Sequence, residues 1–94
     1  MDKHMRKLIY TQTGPIEVVV GRRYHVVVRS SEFGNAEYDA TLGDITTFEI
    51  SPYPESSRSF DFLGFVDAIG TNGSLPLAGP IGARTATIYS MVQI

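Results

Sequence analysis

Apolar and polar residues alternate along most of this chain with a period of two, and the alternating runs are cut short by glycine, proline and asparagine. A period of two puts successive side chains on opposite faces of a strand; a helix would need apolar positions three and four apart over a longer stretch, and none of adequate length occurs. Residues 8–12 read as a first strand, stopped by Thr13-Gly14-Pro15. Residues 16–20 and 24–30 flank Gly21-Arg22-Arg23 as a hairpin, with Tyr24, Val26 and Val28 on one face of the second arm and His25, Val27 and Arg29 on the other. After a loop over 31–35, residues 36–42 set Ala36, Tyr38, Ala40 and Leu42 against Glu37, Asp39 and Thr41, the mark of a strand with one wet face. Gly43-Asp44 reads as a tight turn into a strand over 45–51, making a second hairpin.

The two prolines of Pro52-Tyr53-Pro54 rule out regular structure there, because each restricts the residue before it. Phe60 and Phe62 then share a strand face, and Gly64 interrupts the pattern as a bulge would. A turn at Gly70-Thr71-Asn72-Gly73 leads to a short strand over 74–77, and the chain closes with a strand over 84–94. In that last strand Ala86, Ile88, Val92 and Ile94 share the parity expected of the core, leaving Thr85, Thr87, Tyr89, Met91 and Gln93 facing outward. Short strands at close intervals without helices define an all-β fold, a single β-sandwich of jelly-roll or Ig-like kind with seven to eight mostly antiparallel strands. The expected domain spans residues 8–94, and the mixed charges of residues 1–7 read as a flexible N-terminal arm.

Charge changes this picture at the end of the chain. Residues 68–94 carry one charged side chain, Arg84, although the whole chain is 19% charged. A face this poor in charge is normally buried in the core or against another subunit, and tyrosine and methionine are enriched at subunit interfaces. Tyr89 and Met91, with Leu75, Leu77 and Ile81 in the preceding segments, are therefore the expected interface residues. Size points the same way. With 94 residues, the folded surface should be roughly 5,400 Å² against about 15,000 Å² unfolded, a thin core often supported by self-association, here expected as a trimer. The lack of cysteine excludes disulfides and thiolate metal sites. No apolar run reaches the ~20 residues of a membrane-spanning helix, and the start has no signal-peptide stretch, so no membrane partner is expected. Residues 1–30 hold six basic and two acidic side chains (+4), residues 31–67 one basic and eight acidic (−7) and the rest +1, the sum being −2. Such sorting suits solvated faces or head-to-tail association.

Little catalytic chemistry stands out. The histidines are His4, in the arm, and His25, on a strand between arginines, and no nucleophile elbow or phosphate loop is present. Asp39, Asp44, Glu49, Asp61 and Asp67 could supply a glycosidase pair, and Asp44 and Asp67 near turns could hold calcium, but acids in a β protein usually coat the solvent face. Lys7, Arg22, Arg23 and Arg29 with Tyr10 and Tyr24 form a weak nucleic-acid pattern, which the acidic balance opposes. Tyr53 and Tyr38 could stack on sugar rings. No catalytic residue, cofactor or metal is expected.

Four segments, Tyr10-Thr11-Gln12-Thr13-Gly14, Gly21-Arg22-Arg23-Tyr24 leading into Val26-Val27-Val28, Ile50-Ser51-Pro52 and Gly79-Pro80-Ile81-Gly82-Ala83-Arg84, give the chain a texture that resembles the small accessory virion proteins of tailed bacteriophages, the head-decoration and tail proteins. The resemblance spans most of the chain without a diagnostic motif. It implies a non-enzymatic structural subunit, made in the host cytoplasm and located in the virion, that binds itself and a capsid or tail through protein–protein contacts. The competing expectations are a carbohydrate-binding or adhesion module using Tyr53 and Tyr38, and a small enzyme with a carboxylate pair.

Overall fold

The computed structural model describes residues 5–31, 34–50, 58–71 and 81–94. Among them the chain forms seven strands: β1 (Arg6–Thr11), β2 (Gly14–Val19), β3 (Arg23–Ser30), β4 (Gly34–Ile50), β5 (Arg58–Gly70), β6 (Ile81–Arg84) and β7 (Ile88–Gln93), with a 3-10 turn over Thr85–Thr87 between the last two. The fold is all-β and antiparallel, as the alternation predicts. Its layers are unequal: β1 and β2 form a hairpin, and the other five strands form one sheet in the order β6-β5-β4-β3-β7.

The link from β6 to β7 dictates the shape of that sheet. In a flat sheet these strands would lie four spacings apart, roughly 19 Å. The three residues between them allow four Cα steps, a reach of roughly 15 Å. The sheet must therefore curl until its edges approach. The hairpin closes over the hollow: Gln12 and Thr13 donate backbone hydrogen bonds to Ile88 and Tyr89 at 3.0 Å, and Gly21 donates to Leu42 at 2.8 Å. Ile9 and Val18 of the hairpin meet Tyr24, Val26, Leu42, Phe65 and Ile88 of the sheet in one core. The buried Tyr24 hydroxyl accepts from the Val19 N–H at 2.9 Å and ties the two layers together.

Four expectations need correction. Residues 16–20 and 24–30 do not form a hairpin: β2 pairs with β1, and β3 pairs with β4 and β7 in the other sheet. Gly43-Asp44 is not a turn: β4 runs through it, and the hairpin partner of 36–50 is β5. Leu42 faces Phe65 and Asp44 faces Gly64, so Gly43 is an extra residue on β4 and the bulge lies there, opposite Gly64 rather than on it. Arg6 and Lys7 belong to no arm. They pair with Val19 and Val18 in β1, and Lys7 reaches Asp61 at 3.2 Å. Finally, 84–94 is not one strand, because the 3-10 turn interrupts it and β7 itself is irregular. Val27 faces Ser90 and Val28 faces Ile88, which leaves Tyr89 as a bulged residue and turns both Ile88 and Met91 toward the core. The predicted strand over 74–77 lies outside the described residues.

Candidate functional site

The β4–β5 ribbon carries different chemistry on its two faces. Thr47 and Asp61 face the hairpin, where Lys7 meets both. Their neighbours of opposite parity, Phe48, Phe60 and Phe62, therefore lie on the outer face. Phe48 stands opposite Phe60, and Phe62 opposite Arg84 of β6, so the four side chains share adjoining rungs. Phe48 stacks on Phe60 with centroids 5.3 Å apart and meets Phe62 edge-on at 6.2 Å. The Arg84 guanidinium lies 5.5 Å from the Phe60 ring centre. Phe62 leans over Gly82, where any Cβ would collide with the ring. The result is an open apolar groove of about 310 Å³ with one cationic wall. Phe48 is 45% exposed, an unusual state for a clustered aromatic in water.

Further along the outer face the apolar residues Val66, Ile69 and Val92 surround a polar rung. His25 on β3 faces Asp39 on β4, with Nδ1 2.7 Å from Asp39 Oδ1 and Nε2 2.8 Å from Glu37 Oε2. A neutral imidazole has one N–H and one lone pair, so both contacts become hydrogen bonds only when the ring carries two protons. The Asp39 hydrogen bond, helped by that to Glu37 and opposed by desolvation, holds the His25 pKa above its usual 6.5. The carboxylates grip opposite sides of the ring rather than converging on one point, and among the described residues no cluster is arranged to hold a metal ion.

The expected interface residues are dispersed. Met91 is only 4% exposed and is part of the core, a correction that follows from the Tyr89 bulge. Val92 and Ile94, expected inside, are exposed instead. Tyr89 is half-buried beneath Arg29, whose guanidinium carbon lies 3.6 Å from the ring centre. Ile81 is half-buried against the core, and Leu75 and Leu77 lie outside the described residues. Of the two tyrosines suggested for sugar stacking, Tyr38 is buried edge-on against Phe65, and burial pushes its pKa up to about 12. Tyr53 lies outside the described residues. Tyr24, suggested for nucleic acid, is also in the core. The sequence reading missed Phe48 as the partner of Phe60; placing the hairpin turn after residue 50 would have put the two opposite each other.

The fold and its outer face thus define a small antiparallel β domain with an exposed aromatic surface. No protein family, characterised relative or solved structure matches the chain.

Proposed function

We propose that this chain is a non-enzymatic structural subunit of a multi-subunit assembly, of the kind its resemblance to phage accessory proteins implies: a capsid-decoration or tail component of a virion. The observation that carries the reading is the aromatic surface of Phe48, Phe60 and Phe62, left uncovered by any described residue. Aromatic residues flanked by arginine are the usual anchors of protein–protein contacts. The reading shifts the contact surface from the closing strand to the outer face of the β4–β5 ribbon. His25 is compatible with a non-catalytic role, because carboxylates engage both of its ring nitrogens and neither is directed at a nucleophile.

Light scattering coupled to size exclusion tests the self-association part. An oligomer, with a trimer expected, that dissociates in Phe48→Glu while circular dichroism stays unchanged supports the reading. A species of 10.3 kDa at every concentration, unaffected by the substitution, counts against it. Detection of the chain in purified phage particles tests the virion part separately.

A further inference from the structure

A second hollow lies at the end of the curled sheet where β3 hands over to β4 and β6 to β7. It has a volume of about 650 Å³, within the range of small-molecule pockets. Val28, Ala36 and Ala83 give it apolar walls, and among the described residues its charged lining side chains are Arg29 and Arg84. The lining includes no acid among the described residues, although the chain as a whole is acidic.

We propose that this cavity binds a small molecule bearing a carboxylate, phosphate or sulfate group, with Arg29 as the principal anchor and Arg84 as the second cation. Arg29 lies over the Tyr89 ring at 3.6 Å, so that an aromatic platform holds the guanidinium without using its N–H donors. Those donors have no hydrogen-bond or ion-pair partner among the described residues. The acid diagonal to Arg29 across the β3–β4 ladder is Glu37, and its carboxylate is engaged by His25 at 2.8 Å. A guanidinium that is stacked, charged and unpaired presents a fork matched to two oxygens of an oxyanion. The ring that holds Arg29 thus belongs to the bulged residue of β7. The cavity adjoins the aromatic groove through Phe62 and Arg84, which line both, whereas Arg29 belongs to the cavity alone.

The experiment is calorimetric titration of the folded full chain with inorganic phosphate, phenyl phosphate and benzoate, alongside NMR observation of the arginine Nε–H signals. The expected result is saturable one-site binding of at least one probe, with perturbation of the Arg29 signal; the order of the three identifies the preferred oxyanion. Arg29→Gln should weaken binding about tenfold or more, as loss of a charge-assisted contact does. Arg29→Lys should recover only part, and Tyr89→Leu should weaken binding without altering net charge. Arg22→Gln, which removes an exposed arginine outside the cavity, should bind as the parent does. Absence of saturable binding by all three probes, or an equal loss in Arg22→Gln and Arg29→Gln, overturns the proposal.

Discussion

A regular strand cannot bury both Ile88 and Met91, because they have opposite parity; a strand bulged at Tyr89 does so. Alanine substitutions at Ile88, Met91, Val92 and Ile94 test that geometry. Ile88 and Met91 are 0% and 4% exposed, whereas Val92 and Ile94 are 59% and 65% exposed. Truncating a core isoleucine or methionine to alanine costs about 2–5 kcal/mol, from lost transfer energy and the cavity left behind. A domain of this size has a total stability of roughly 5–14 kcal/mol, so either core variant loses a large share. At about 4–8 °C per kcal/mol for a domain near 100 residues, its melting temperature should fall by about 10–40 °C. Val92→Ala and Ile94→Ala should stay within about 0.5 kcal/mol of the parent. Urea denaturation followed by circular dichroism reads all four. A pattern in which Ile88, Val92 and Ile94 are sensitive and Met91 is tolerant would restore the regular strand and refute the bulge.

Other consequences are measurable. Tyr24→Phe removes the acceptor of the buried Val19 N–H and should cost about 1–3 kcal/mol, with faster hydrogen exchange at Val19. His25 has its pKa raised in the fold, chiefly by Asp39, so its stabilising contribution should be full below its unfolded pKa and lost as pH rises through the higher folded value. The urea midpoint of the parent should accordingly exceed that of His25→Gln by most near pH ~6 and by less near pH ~9; a constant difference would refute the assignment. Gly82→Ala should force Phe62 out of its place, lowering the melting temperature and altering the near-UV dichroism of the aromatic groove; an unchanged spectrum would place the ring elsewhere.

Alternation in the sequence was enough to mark β1, β2 and β3 as strands and to assign the faces of β3, since Tyr24 and Val26 are buried and His25 is on the outer side, but not to give β2 its partner, because Gly14-Pro15 opens that strand instead of ending the first one. It failed where one extra residue breaks the period. Gly43-Asp44 has the composition of a tight turn, but the ladder to β5 continues past it, and a glycine that serves as a bulge cannot be told locally from one that serves as a turn. That single misreading split β4 and separated Phe48 from Phe60. Tyr89 caused the second failure, because parity counted through an irregular residue inverts every later side chain and so exchanged Met91 with Val92. The cavity at Arg29 depends on curling of the sheet, a long-range property with no local pattern.

The β4–β5 ribbon contains two one-residue slips, and they oppose each other. Between Asp39 and Thr41 the partner changes from Ile69 to Val66, giving β5 an extra residue where Asp67 adopts a φ of 53°. Between Leu42 and Asp44 the extra residue is Gly43, on β4. From Tyr38 opposite Gly70 to Ile50 opposite Arg58 both strands advance by twelve residues, so the ladder ends in phase with its beginning. Each slip is absorbed at its own extra residue. Losing Gly43 alone would straighten β4 there, leaving Leu42 opposite Phe65, Asp44 opposite Gly64 and Phe48 opposite Phe60, and the extra residue of β5 at Asp67 could be lost in the same way. The two bulges are therefore the places where this ribbon can shorten by one residue on either strand, independently, while keeping its aromatic face.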